Sequence, residues 1–307
     1  MNISKGKRQL PYKVVIYGAE GIGKTTFASK FPAPIFIDTE DSTARMDGVD
    51  RFEGIKNLDE VILAIKTLKE EDHSYQTLVI DTFDKLELMI NDKVCEEQKV
   101  TGIEAIGYGK GYTYVAEKVN KLLGALDALR MAKGMNIVIV CHAQMRKFEQ
   151  PDEMGAYDRW ELKLSKKAAP LVKEWADMVL FLNYKTTVVT DEKTKSKKAR
   201  GGKRVMYATH HPAWDAKNRF GLDDELDMDF DSIRQCFVEP PKAPDIYTQI
   251  RTKLDEGGVK EEKVMEYLHE KDPNLREDAV ALEMLPPKYL KALNNSISKI
   301  INILKED

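Results

Sequence analysis

The chain has 307 residues, 42% of them hydrophobic and 32% charged, with a formal net charge of −3. That apolar content excludes a disordered chain, and the length exceeds what one core usually fills, so about two domains are expected. No apolar run approaches the roughly 18 residues that cross a bilayer, and the opening MNISKGKRQLPYK lacks the apolar centre of a signal peptide, so no membrane association and a cytoplasmic location are expected. Cys95, Cys141 and Cys236 form no CxxC pair, which argues against a disulfide framework or a thiolate zinc site. With so small a net charge, any surface for a polyanion must come from local clusters of Lys and Arg.

In chain order, the strand Val14 to Tyr17 runs into Gly18-Ala19-Glu20-Gly21-Ile22-Gly23-Lys24-Thr25, followed by Thr26. This is a full GxxxxGK(S/T) phosphate loop between a strand and a helix. Its chemistry needs glycines so that the backbone can wrap phosphates with inward N–H groups at a helix N-terminus. Residues Gly18 to Thr26 are therefore expected to bind ATP, with Lys24 on the β/γ-phosphates and the Thr25 hydroxyl on Mg2+.

The next strand, Ile35 to Asp38, leads into Thr39-Glu40 and places two carboxylates where open α/β sheets bind ligands. Leu58, Val61, Ile62, Ile65 and Leu68 share a helical face, and a further helix is predicted over Tyr114 to Met131. Between them Thr77-Leu-Val-Ile-Asp81 is an apolar strand ending in an acid, the form of a carboxylate that holds the Mg2+ shell. Strands follow at Asn136 to Cys141 and Met178 to Leu182. The alternation implies a mostly parallel sheet flanked by helices.

Tyr184 to Val189 and Arg204 to Thr209 then flank DEKTKSKKARGGK, read as the tip of a β-hairpin that ends the sheet antiparallel. An acidic stretch and the Pro240, Pro241, Pro244 cluster mark a boundary. The expected division is residues 1–238 as the main domain and 239–307 as a linker and small helical region. In that tail Leu290, Leu293, Ile297, Ile300 and Leu304 form one stripe, read as packing inside a helical domain or as a partner seam.

The loop, the strand-end acid and the Asp38-Thr39-Glu40 run together resemble the RecA family of recombinases. The resemblance spans roughly residues 10 to 225. It implies a RecA-like P-loop NTPase fold and an ATPase, with Glu40 polarising the attacking water. Ile137 to Arg146 is similar to the RecA-family strand ending in a γ-phosphate sensor, which implies Gln144 in that role, with His142 as second choice. Lys217-Asn218-Arg219 resembles the Lys-x-Arg element of DnaB-type helicases, which implies that Lys217 and Arg219 act on a neighbouring subunit's nucleotide in a ring or filament. Tyr108-Gly-Lys-Gly-Tyr112 adds likeness to the small single-strand annealing (Sak-type) ATPases of bacteriophages. These are proteins that act on single-stranded DNA alongside a single-strand binding protein, in the bacterial host's cytoplasm.

The nucleic-acid surfaces expected from this reading are three. Tyr108, Lys110 and Tyr112 offer rings for stacking and a cation for phosphate. Arg146 to Lys167 supplies Arg146, Lys147, Arg159, Trp160, Lys163, Lys166 and Lys167, diluted by acids. The hairpin tip, with Lys195, Lys197, Lys198 and Arg200, carries the highest positive charge density and reads either as a DNA contact or as a solvated turn. The rival functions are a DNA helicase or helicase loader, a small-molecule P-loop kinase, and an assembly module with negligible turnover.

Overall fold

The computed structural model describes residues 5–6, 10–149, 155–190, 197–237, 245–273, 275–276 and 278–306, with the backbone alone for 186–190, 197–200 and 306. In chain order the elements of the first part are β1 (Lys13–Gly18), α1 (Lys24–Ala28), β2 (Pro34–Asp38), β3 (Asp50–Phe52), α2 (Leu58–Glu70), β4 (Thr77–Asp81), α3 (Phe83–Gln98), α4 (Lys110–Lys133), β5 (Asn136–Glu149), β6 (Ala156–Leu162), α5 (Ala168–Trp175), β7 (Met178–Thr190), β8 (Lys197–Tyr207) and β9 (Glu225–Asp227). The expected α/β class holds: one sheet in the order β3-β2-β4-β5-β1-β7-β8-β9, parallel from β3 to β7 and antiparallel at β8 and β9. The loop-bearing strand β1 and the acid-ending strand β4 are not neighbours, because β5 lies between them.

Strands buried on both faces read as continuous apolar runs, and β1 and β4 do. Alternate side chains divide between two cores. Val15, Tyr17, Ile37, Leu78, Ile80, Ile137 and Ile139 meet helices α2 to α5. Val14, Ile16, Phe36, Val79 and Val138 meet Phe27 and Phe31 at α1, with Phe230 and Ile233. The period of two along each strand produces this division.

Several expectations need correction. Helix α3 follows directly on Asp81 and was not anticipated, nor were β3, β6 and β9. Strand β5 does not stop at Cys141 but continues to Glu149 and pairs with β6 from Ala143↔Leu162 to Glu149↔Ala156, so much of the basic segment Arg146 to Lys167 lies in paired strands. The terminal hairpin is longer than expected, with β7 and β8 paired out to Thr190↔Lys197 across an irregularity at Lys185/Thr186. Lys197, Lys198 and Arg200 therefore sit in a strand rather than in a turn, while Lys195 lies outside the described residues.

The chain divides into two compact units, Met1–Val238 and Glu239–Asp307. The second contains α6 (Ile246–Gly257), α7 (Glu261–Lys271) and α8 (Pro287–Glu306). Leu290, Leu293, Ile297 and Ile300 are buried against Ile250, Leu254, Val264 and Leu268, with Leu304 partly buried, so the stripe serves packing within this unit. No helix among the described residues is long and apolar enough to cross a membrane.

Candidate nucleotide site and nucleic-acid interface

The phosphate loop joins β1 to α1, with Gly21 and Gly23 at φ 70° and 104°, where only glycine is unstrained. Gly18 is required for a different reason: a Cβ there would sit 2.3 Å from the Leu182 carbonyl oxygen on β7. Lys24 is buried, and its Nζ donates to the carbonyls of Gly18 (3.1 Å) and Ala19 (2.9 Å). Burial lowers its pKa. Both hydrogen bonds given for this buried cation go to neutral carbonyls rather than to a carboxylate, which suits it to an anionic ligand.

Two of the sequence-predicted residues meet directly. Thr25 Oγ1 donates to Asp81 Oδ2 at 2.6 Å, and Ser42 Oγ donates to the same oxygen at 3.0 Å. Asp81 is buried, and burial raises its pKa against the hydrogen bonds from Thr25 and Ser42, with Asp38 raising it further. This hydroxyl and carboxylate fit a hard oxygen-seeking cation such as Mg2+. Asp38, Asp81's register partner, accepts from the Glu40, Ser42 and Thr43 amides and from Thr43 Oγ1. Burial would raise its pKa, but these bonds outweigh it and hold the carboxyl below its ordinary value. Asp38 thus builds the turn, and Glu40 is the carboxylate left exposed.

Asp84, not singled out by sequence reading, faces His142. Its Oδ1 accepts the His142 amide and its Oδ2 lies 2.9 Å from Nδ1. Glu40 joins them: one ligand atom from each of Glu40, Asp84 and His142 lies within 4.8 Å of the other two. His142 is also the strand partner of Gly18, so this group adjoins the start of the phosphate loop. Gln144 Nε2 donates to the carbonyls of Leu162 (2.8 Å) and Leu164 (3.3 Å), while its side chain lines a cavity of about 440 Å³ with Glu40, Asp84 and Arg146.

A second residue missed as a nucleotide-site candidate is Arg204. Read in sequence only as the start of the strand after the hairpin tip, it donates from Nη1 to the Ile22 carbonyl at 3.2 Å, and a Cβ on Gly23 would sit 3.1 Å from that atom. Its sequence signal was only a Lys/Arg run; the fold turns it onto the loop. Lys217 and Arg219 lie elsewhere. Lys217 Nζ donates to the Lys173, Glu174 and Ala176 carbonyls at the end of α5, and Arg219, largely exposed, is 3.5 Å from Asp177. Gly18 pairs with Leu182, and Asp177 precedes it by five residues, roughly 16 Å of strand at about 3.3 Å each. Neither cation borders the phosphate loop of its own chain.

Of the expected nucleic-acid residues, Tyr108 is fully exposed with φ 56°, beside exposed Lys110. Tyr112 is partly exposed, and its hydroxyl donates to Glu104 at 2.8 Å. Gly111 packs on Ile103, where a Cβ would meet the carbonyl oxygen at 2.5 Å. Lys167 Nζ donates to Thr113 Oγ1 at 2.6 Å, so the segments around Tyr108 and Lys163–Lys167 meet at the start of α4. Lys147 is exposed on the β5–β6 hairpin. Arg146 is tied to the Leu164 carbonyl (2.8 Å) and Glu161 (3.6 Å). Arg159 is buried and paired with Asp215, because the fold turns it inward, and does not present a free cation.

A family model described as an AAA domain matches residues 10–220. The SPbeta prophage-derived uncharacterized protein YorG of Bacillus subtilis (strain 168) is 24% identical over 181 residues, covering 55% of this chain; the chain spans about half that relative's length, 50%. Among solved structures the RadB recombinase matches with a TM-score of 0.37 at 14% identity, over 70% of this chain and 85% of that one.

Proposed function

This chain belongs to the AAA domain family, and from that premise we propose that it is a RecA-like ATPase that binds ATP with Mg2+ at Gly18 to Thr26 and spends its hydrolysis on single-stranded DNA. The observation that carries the reading is the 2.6 Å contact between Thr25 and Asp81, with Glu40 exposed at the neighbouring strand end. Lys24 and the loop amides hold the β- and γ-phosphates. Thr25 and Asp81 hold Mg2+, which when bound neutralises charge on the phosphates. Glu40 orients the attacking water and takes its proton, as an exposed carboxylate beside the loop can. Gln144 lines the same cavity and reports the state of the γ-phosphate to the β5–β6 hairpin that it braces.

Arg219, exposed and remote from its own loop, is the better candidate for a cation supplied to a second copy, since Lys217 is occupied by the end of α5. Such a role makes the active form a homo-oligomer. DNA is proposed to lie across Tyr108, Lys110, Lys163, Lys166 and Lys167, with Lys147 and the β7–β8 hairpin extending the surface. The prophage origin of one relative supports a phage setting, and recombination by annealing or strand exchange is the task proposed within it.

The test is binding of a fluorescent single-stranded oligonucleotide across a salt series, with Lys110→Glu, Lys163→Glu and Lys167→Glu combined. The reading expects weaker binding and a flatter salt dependence in the variant. Equal affinity and slope would move the DNA elsewhere. Annealing without ATP-driven strand displacement favours the recombination role, while displacement favours a helicase.

A further inference from the structure

We propose that Asp84 and His142 form a positioning pair that holds Glu40 and ties it to the root of the β5–β6 hairpin, so that a ligand on the hairpin alters turnover through Glu40. The proposal rests on the ATPase reading and adds to it two residues and a route of regulation.

The Asp84 carboxylate is committed twice to His142, at the backbone amide and at Nδ1, both at 2.9 Å. When Nδ1–H donates to Asp84, Nε2 is the ring nitrogen left for another partner. Glu40 stands in reach, within 4.8 Å in the same three-residue cluster. Two carboxylates this close repel, and an imidazolium beside both offsets that repulsion. The electrostatics agree. The hydrogen bond to Asp84 raises the His142 pKa most, burial lowers it, Lys24 lowers it and Glu40 raises it. The charged groups facing the ring thus come from α3, α1 and the turn after β2, while Lys85, Glu87, Arg146 and Lys163 border the adjoining cavity.

On its other side His142 is knit to the hairpin. Its carbonyl accepts the Lys163 amide at 2.9 Å, the next residue Ala143 pairs with Leu162, and Gln144 and Arg146 both bond to the backbone of Leu162 or Leu164. A shift of the segment that carries Lys163 and Lys167 therefore pulls on the residue that faces Glu40. Turnover is sensitive to such shifts, since a misplacement of about 1 Å in a catalytic group costs up to roughly 10²-fold.

The test uses the full chain, wild type and with Asp84→Asn, His142→Gln and Glu40→Gln. Histidine NMR signals are followed against pH, His142→Gln identifying the His142 signal among the five histidines. Both Asp84→Asn and Glu40→Gln should lower the His142 midpoint. Because Glu40 is exposed, its substitution leaves the fold intact, and a midpoint unmoved by Glu40→Gln overturns the proposal whether or not the protein turns over ATP. In turnover assays Asp84→Asn should keep the affinity for a fluorescent ATP analogue, lose about tenfold or more of the stimulation by oligo-dT, and shift the pH limb of kcat to lower pH. Unchanged stimulation and an unchanged limb overturn the coupling. Wild-type protein that binds ATP without hydrolysing it, while the midpoints move as stated, supports the pair and counts against the ATPase reading alone.

Discussion

Thr25 and Asp81 touch at 2.6 Å although β5 separates the strands that present them. The contact is possible because Thr25 lies in the first turn of the short helix after the loop and Asp81 ends β4, both at the C-terminal ends of the parallel strands. Asp81 is buried, with its pKa raised first by burial. A carboxyl whose pKa is raised on folding stabilises the fold below its ordinary value of 3.8 and loses that contribution as pH rises through the folded value. Ionised Asp81 therefore costs stability at neutral pH. Asp81→Asn, which keeps acceptors for Thr25 and Ser42, is expected to raise Tm at pH 7 in the absence of nucleotide while lowering kcat by about 10²-fold or more. Calorimetry and steady-state kinetics on the same variant check both; a lower Tm or undiminished kcat contradicts the assignment.

Asp84 and His142 give a pH window. For Asp84, burial opposes ionisation but the His142 hydrogen bonds win, so its pKa is lowered and its contribution is present above 3.8 and lost as pH falls through the folded value. For His142 the Asp84 hydrogen bond raises the pKa, so its contribution is full below 6.5 and lost as pH rises through the folded value. The Tm loss on Asp84→Asn should therefore be largest between pH 3.8 and 6.5 and shrink at alkaline pH. A loss independent of pH would mean the pair is not charged.

Gly111 lies in the first turn of α4, against Ile103. An added methyl would meet a backbone carbonyl at 2.5 Å, so Gly111→Ala is expected to destabilise by about 1–3 kcal/mol and to displace the segment carrying Tyr108. Urea unfolding measures the first and oligonucleotide binding the second. Wild-type stability would show that Ile103 yields freely.

Arg204 is expected to contact bound nucleotide, because its guanidinium already reaches the phosphate loop at Ile22. Arg204→Ala should weaken ATP binding by about tenfold, or ~1.4 kcal/mol. Fluorescence titration with an ATP analogue checks this, and unchanged affinity would confine Arg204 to bracing β8.

The phosphate loop, Asp81 and the parallel core were legible because their signals are local: a motif of fixed spacing and apolar runs bounded by acids. Helix α3 was missed although Phe83, Leu86, Ile90 and Val94 have helical spacing, since only Thr82 separates it from β4 and no Gly or Pro marks the boundary. Asp84 and Arg204 were invisible as site residues for one reason. Each owes its role to a partner far along the chain, His142 and Ile22, and that pairing is made by sheet order rather than by spacing. Arg159 shows the converse, a residue in a charged-looking segment that folds inward onto Asp215. The β5–β6 hairpin escaped because the consecutive charges Arg146-Lys147 and Asp158-Arg159 break the apolar–polar alternation by which a half-buried strand is recognised in sequence.

The most direct test of the central claim is ATP turnover by the purified protein with and without oligo-dT, alongside Lys24→Ala and Glu40→Gln. Turnover should rise with single-stranded DNA, with loss of ATP binding in Lys24→Ala and retained binding without turnover in Glu40→Gln. Turnover indifferent to DNA, or undiminished in Glu40→Gln, would contradict it.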